Sequence, residues 1–450
     1  MRNFATQVYL LAFLIFIYGT NAATIKLTID DAIKTALANS YDTRTSKLSV
    51  EKAEAQVDEA LGTALPTLSL SANYTRNLLL PVFFFPNVFQ NKPNEIMAIK
   101  VGADNSFQTS LNLQQILFNS AVFTAIGTSK IYADASKHLS AGVYSKTIAG
   151  VKKAFYGVLL AKEIQGALEL SFKNANENLK TVQAMFNEGM IAEYDKIRAE
   201  VAVENIRPMM LQAQAAVSNA TNGLKMAMGT SMNDSLEVVG ELSQPVDNAD
   251  FDEIKSIMTL LESNPDLQSL EEMKKVNMDL VSIKKSEYYP TIALFGNYMY
   301  QGQSNTFDFM TAKSSLVGLN FSLSLFQGLQ TNARVQQAKI DYMTIETKAK
   351  QLEEALKMQL KNTLFQIQIS KSKLAAQTQT VNQAQRGYDI AGIRYKEGIG
   401  SQMEINDADN ALIQAKVNKF QAIYEFITAL ADYDYLMGKV ESKYLNEKLK

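Results

Sequence analysis

The side chains that could do chemistry in this chain are acids and phenols rather than thiols and imidazoles. Its 450 residues include no cysteine and one histidine, His138, flanked by Lys137 and Leu139. A single imidazole and no thiol leave zinc sites and histidine-based triads without their parts. No clustered Asp/Glu motif suggests a metal or glycosidase site either, so no catalytic residue, metal or cofactor is expected, and His138 reads as a surface or seam residue of a long helix. One pair of acids has informative spacing. Glu404 and Asp407 are three residues apart, on one helix face. By spacing alone they read as two solvated charges of that face.

The elements that position these acids come in duplicate. Pro66-Thr67-Leu68-Ser69-Leu70-Ser71-Ala72-Asn73-Tyr74 is matched by Pro290-Thr291-Ile292-Ala293-Leu294-Phe295-Gly296-Asn297-Tyr298, an offset of 224. At the same offset Asn39-Ser40-Tyr41-Asp42 meets Ser263-Asn264-Pro265-Asp266. Leu111-Asn112 and Leu117-Phe118 match Leu319-Asn320 and Leu325-Phe326 at offset 208. Phe186-Asn187-Glu188-Gly189 and Met228-Gly229 match Tyr395-Lys396-Glu397-Gly398 and Met437-Gly438 at offset 209. A repeat of this length is a tandem duplication of a whole structural unit, not a short solenoid. The smaller offset downstream places a longer loop in the first copy.

Composition bounds the setting. Lys and Arg number 44 against 46 Asp and Glu, a net charge of -2, so nothing attracts nucleic acid by bulk field. Arg2, the apolar run Val8 to Tyr18 and Thr20-Asn21-Ala22 read as a secretory signal over 1–22. Absence of cysteine suits an exported bacterial envelope protein. All eight prolines lie between 66 and 290, leaving long tracts free to be helical.

The division read from these signals is a first repeat over 23–229, a linker or equatorial region over 230–250, a second repeat over 251–438 and a tail over 439–450. In the first repeat, helix runs from a capping box at Thr28-Ile29-Asp30-Asp31 to about Ala60, interrupted near Asn39-Ser40. Strands come next at about 67–75 and 106–118, with residues 76–105 as a loop bearing a greasy tip, Phe83-Phe84-Phe85. A long helix over 120–187 carries the seam Leu168, Phe172, Ala175, Leu179, Val182, Phe186. A tip turn at 188–195 and a helix to about 228, with Pro208 as an expected kink, complete the repeat. The second repeat has a helix over 251–288 broken at Asn264-Pro265, and strands at about 290–300 and 314–326 around a loop at Gly302-Gln303-Ser304. A long helix over 328–396, a tip turn at 397–404 and a final helix complete it.

Strands of roughly 10–13 residues, apolar on one face and polar or small on the other, have the length to cross a bilayer when tilted. A half-buried strand in a soluble sandwich shows the same alternation, and the helices decide between the two. At about 1.5 Å per residue each long helix extends roughly 100 Å, which no single globular core requires. Two short helices stacked end to end match one long one, so each repeat supplies two parallel lanes. Four strands cannot close a membrane barrel, and open edges in lipid leave backbone groups unpaired, so copies must associate.

In this arrangement the chain resembles the TolC-type outer-membrane efflux proteins. The resemblance is carried by Leu27-Thr28-Ile29-Asp30-Asp31-Ala32-Ile33, Asn264-Pro265-Asp266-Leu267, the two Pro-Thr strand openings, and the turns Phe186-Asn187-Glu188-Gly189-Met190 with Asp195 and Gly392-Ile393-Arg394-Tyr395-Lys396-Glu397-Gly398 with Glu404 and Asp407. It implies a mainly α fold with a membrane β-barrel. Three chains would form a 12-stranded barrel in outer-membrane lipid and an α-helical tunnel in the periplasm. It further implies a periplasmic adaptor and an inner-membrane transporter as partners, and a passive exit duct for small molecules or proteins in tripartite efflux or type I secretion. By motif position Asp195, Tyr395, Glu404 and Asp407 are the implied periplasmic gate. Gly189, Gly398 and Gly400 belong to the turns implied to meet the adaptor. Gly400 stands where some relatives carry a basic residue that ties the gate. The competing reading is a structural coiled-coil envelope protein without a pore, which accounts for the heptads but not for four alternating strands at duplicated positions.

Overall fold

The computed structural model describes residues 25–87, 92–242, 251–440 and 444. The expected signal over 1–22, residues 243–250 of the expected linker and most of the 439–450 tail lie outside them. The elements are β1 (Ile25–Leu27), α1 (Ile29–Asn39), α2 (Tyr41–Gly62), β2 (Thr67–Arg76), β3 (Val82–Asn87), β4 (Lys92–Lys100), β5 (Asn105–Phe118), α3 (Ser120–Asn187) and α4 (Glu193–Met228). Then come β6 (Leu236–Val238), α5 (Glu253–Ser263), α6 (Pro265–Lys285), β7 (Thr291–Ser304), β8 (Met310–Ser322), α7 (Gln330–Lys396) and α8 (Gln402–Leu436). The described residues fall into two compact units, one within Met1–Ser49, Lys137–Ser269 and Lys350–Lys450, the other within Val50–Ser136 and Leu270–Ala349.

In the first unit the duplication is visible in how helices end. Thr28 caps α1, accepting from the Asp31 N–H at 3.3 Å. Helix α1 stops at Ser40 and restarts as α2, and α5 stops at Asn264 and restarts as α6. Gly229 and Gly438 close α4 and α8 with φ of 69° and 63°. Each is pressed on the corresponding break: a Cβ on Gly229 would lie 2.4 Å from the Asn39 carbonyl oxygen, and one on Gly438 2.7 Å from that of Ser263. The Asn264 side chain fastens this second contact by donating to the Leu436 carbonyl at 3.0 Å. Around the first contact Ile33, Val151, Phe155, Val158, Leu224, Met228 and Ile423 are buried in one core. Around the second, Leu260, Leu267, Leu356, Leu360 and Leu436 form another. Parallel pairing of β1 with β6 places a strand inside the stretch read as linker.

The second unit holds an antiparallel sheet of order β2-β5-β7-β8. Pairing of Leu68 with Leu113, Leu70 with Leu111 and Tyr74 with Phe107 places those side chains on one face, and the register carries it on through Tyr298 and Tyr300 to Val317, Leu319 and Phe321. Leu70 and Val317 on this face are 72% and 78% exposed. The other face is the more polar one, with Phe295, Met299 and Leu316 among its hydroxyl and amide side chains. Ser71 and Ser110 share a hydrogen bond of 2.8 Å, and Asn297 donates to the Asn112 side-chain oxygen at 2.6 Å. Within the same unit Glu287 accepts from Arg334 at 2.8 Å and Thr331 at 3.1 Å, beside a cluster of Val281, Val335, Ala338 and Tyr342.

Three local readings are corrected. Residues 76–105 are not a plain loop, since β3 pairs antiparallel with β4 and carries Phe83-Phe84-Phe85. Gly302 and Ser304 lie in β7 rather than in a loop: a Cβ on Gly302 would come within 2.4 Å of the Phe107 ring, so this glycine makes room for a cross-strand aromatic instead of turning the chain. Strand β8 ends at Ser322, opposite Thr291, because β7 begins there, after Pro290. Among the described residues no helix is long and apolar enough to cross a membrane, a statement that bears on helices alone.

Candidate functional site

The sequence-derived site residues collect at two helix-turn-helix ends of the first unit. Helix α3 ends in a left-handed Gly189, with φ of 71°, and α7 in Gly398, with φ of 74°. In both turns the glycine N–H donates to the carbonyl three residues back, Phe186 or Tyr395, and the next N–H to the carbonyl five back, Met185 or Arg394. This Schellman closure satisfies the last helix carbonyls and requires a residue that tolerates positive φ.

Beyond the glycines the turns differ. Ala192 precedes α4 without a side-chain cap, whereas Ser401 precedes α8 and accepts from the Glu404 N–H at 3.3 Å. Gly400 donates its N–H to the Arg394 carbonyl at 3.0 Å, and a Cβ there would stand 2.9 Å from the Tyr395 nitrogen. The backbone therefore leaves no room for a basic side chain at 400. A guanidinium reaches the turn from Arg394 instead, donating to the Ile399 carbonyl at 3.2 Å and to the Glu404 carboxylate at 3.4 Å.

Two of the four acid and phenol positions meet. Tyr395 on α7 feels the negative field of Asp195 in the first turn of α4, and burial together with that charge raises its phenol pKa. Its hydroxyl is buried and has no hydrogen-bond partner in the chain, so the two groups are neighbours without a bond. Glu404 is instead held by Arg394, and Asp407 is exposed on the α8 surface, in contact with neither pair. Asp195 itself lies where the helix dipole favours an acid.

Sequence reasoning missed three residues here. Arg394 stood in a quoted motif, but only the fold of the turn brings it to Glu404. Gln402, 2% exposed, donates to the Asn406 side chain at 3.1 Å and leaves its own oxygen unpartnered. Asp409 accepts a 2.5 Å hydrogen bond from the buried Ser171 of α3, and burial raises its pKa against the opposing effects of that bond and of Lys416. Two residues past Asp407, it points about 200° away around the helix. The spacing thus signalled a different face, and Ser171 beside the α3 seam was the available hint of what that face meets.

A family model described as outer membrane efflux protein matches residues 32–230 and 257–439. Outer membrane protein TolC of Salmonella enteritidis is 21% identical over 400 residues, covering 86% of this chain and 77% of the relative. Alkaline protease secretion protein AprF of Pseudomonas aeruginosa is 22% identical over 346 residues, covering 75% of this chain and 70% of the relative. The Campylobacter jejuni CmeC outer membrane channel superposes with a TM-score of 0.74 at 21% identity, covering 91% of this chain and 85% of that one. The family match takes in both copies of the duplication, and the fold match covers 91% of the chain. The chain therefore belongs to the outer membrane efflux protein family, a family of channels rather than enzymes, and is an outer-membrane exit duct.

Proposed function

We propose that three copies of the chain, each freed of its signal, close a twelve-stranded barrel in outer-membrane lipid and continue into the periplasm as a helical tunnel. The sheet carries this reading. It has an exposed apolar face, a more polar face and two outer strands, β2 and β8, without partners on their free sides among the described residues. Unpaired strand edges are costly in hydrocarbon, and four strands are too few to close on themselves.

In this reading Asp195, Tyr395, Glu404 and Asp407 form the periplasmic gate. Asp195 and Tyr395 come from different repeats, so separating the helix ends parts them, and no hydrogen bond must break. Arg394 offsets the Glu404 charge, which leaves Asp407 as the main acid presented to a cation. The turns at Gly189, Gly398 and Gly400 meet a periplasmic adaptor, which joins an inner-membrane transporter that supplies the energy and selects the cargo. Small molecules or proteins then leave through a passive duct.

The test is conductance of the purified protein in planar bilayers. A small, cation-selective wild-type current is expected, with selectivity reduced in Asp407→Ala and current enlarged in Asp195→Ala/Glu404→Ala/Asp407→Ala. Identical currents in all three would keep the duct and discard the gate residues. Correctly assembled trimers that never insert would restore the coiled-coil reading.

A further inference from the structure

We infer the register in which copies join: β2 of one copy lies antiparallel to β8 of the next, with Thr67 opposite Ser324, Leu70 opposite Phe321 and Arg76 opposite Ser315. This rests on the trimeric reading above and specifies its seam.

Direction and facing come first. The strands β2, β5, β7 and β8 alternate in direction, so β8 meets a second copy's β2 antiparallel. The apolar face holds Leu68, Leu70, Ala72 and Tyr74 on β2 and Val317, Leu319 and Phe321 on β8. Keeping that face continuous across the seam permits only registers two residues apart, because a slip of one inverts every side chain.

Closure then sets the stagger. Straight across one copy's sheet, Ala72 aligns through Thr109 and Tyr300 with Lys313. Twelve strands about 4.8 Å apart, rising about 3.3 Å per residue and tilted about 35–45°, close with a stagger of roughly 4–6 residues per copy. Displacement toward the Met310 end would leave β2 facing about five residues of β8 or fewer. Displacement toward the Ser322 end sets at least eight of the ten residues of β2 against β8.

Side chains choose between the two remaining staggers. The smaller puts Arg76 directly opposite Lys313, and like charges in that position are unfavourable. The larger puts Arg76 opposite Ser315, stacks Tyr74 on Val317 and Ala72 on Leu319 outside, and sets Ser69 by Ser322 and Ser71 by Asn320 inside.

A separate observation agrees. Apolar alternation continues past the end of β8 through Leu323 and Leu325, yet within one copy these residues have no strand beside them, and Leu325 is 89% exposed. In the inferred register Leu323 faces Leu68 and Ser324 faces Thr67. The segment just past β8 is thus one that only a second copy can pair.

Absence of native cysteine makes oxidative cross-linking a clean test. Ser69→Cys would be combined with Asn320→Cys, Ser322→Cys or Ser324→Cys, membranes oxidised, and covalent trimers read on non-reducing gels beside each single variant. Directly opposed Cα atoms lie about 4.5–5.5 Å apart and diagonal ones about 7–8 Å, beyond easy disulfide reach, so the Ser322 pairing should yield about tenfold more trimer. Dominance of the Asn320 or Ser324 pairing would overturn the register and leave edge closure intact. No cross-link in any pairing, with trimers present in detergent, would overturn β2–β8 contact itself. Monomers in detergent from the cysteine-free protein would remove the trimeric reading. Should Ser69→Cys/Ser322→Cys fail to assemble, Ser71→Cys/Asn320→Cys reports the same register.

Discussion

At Gly189 and at Gly398 the chain leaves a long helix along the same backbone path, with φ of 71° and 74° and the same pair of turn hydrogen bonds. Past each glycine the fastenings diverge. The second turn is stitched by Arg394, by the Ser401 cap and by a Gly400 packed against the Tyr395 nitrogen. The first has an uncapped Ala192 and, across the turn, Lys196 lying 5.2 Å over the Phe186 ring. The same contrast appears one level deeper. Asp409 of the second repeat is driven into contact with Ser171, while Glu200, its counterpart at the shared offset, stays near solvent, 3.8 Å from Lys196. Duplication kept the hydrogen-bond geometry that any helix end needs. The side chains around it differ, and the second-repeat turn carries more fastenings.

The sharpest way to break this comparison is to add a methyl group where only the second turn is crowded. Gly400→Ala should cost about 1–3 kcal/mol through overpacking against backbone. Ile191→Ala, at the matching place in the first turn, should cost under about 1 kcal/mol. Equal losses in urea unfolding would mean that the turns are equally constrained. Next, Gly189→Ala and Gly398→Ala should each lose about 1 kcal/mol, because both require positive φ. Hydrogen exchange at Met190 and Ile399 reads this locally, and a one-sided loss would contradict the shared backbone.

The Asp409 contrast gives a pH effect. Its pKa is raised in the folded protein, so the native state binds a proton more readily than the unfolded chain does. Stability should therefore rise as pH falls from neutral through the raised value, and the gain is complete once pH lies below the ordinary carboxylate range. Asp409→Asn should be more stable than wild type at neutral pH, and the difference should shrink on acidification. A difference between their melting temperatures that does not change with pH would refute the assignment. The smallest effect is expected for Arg394→Ala, which removes an exposed ion pair worth at most about 0.5 kcal/mol. In bilayers its current should instead become more cation-selective, as Glu404 loses its counter-charge. An unchanged selectivity would place Glu404 away from the conducting path.

Much of this architecture could be read in the residues because it rests on periodicity. Alternation at Val317, Leu319 and Phe321 and the heptad steps from Leu168 to Phe186 arise from the pitch of a strand and a helix. The hairpin of β3 and β4 escaped that reading, since three consecutive phenylalanines carry no period and only pairing with β4 gives them one. Gly302 misled for a related reason. Its smallness serves the Phe107 ring on the neighbouring strand, and sequence near 302 contains no sign of residue 107. At the candidate site, the motif positions of Asp195 and Tyr395 were legible, but the hydroxyl left unbonded between the repeats was not.

The sequence by itself determined the duplication, the four strands, the long helices, the poverty of catalytic groups and the glycines that end the turns, because each depends on residues close in the chain or on composition. The tertiary structure alone decided that Arg394 reaches Glu404 across the second turn, that Asp409 is half-buried against Ser171 while Asp407 is exposed, and that the alternating residues past Ser322 have no strand beside them. Those outcomes depend on which distant segments share a turn, a helix face or a sheet edge, and on the desolvation and steric exclusion that only such proximity imposes.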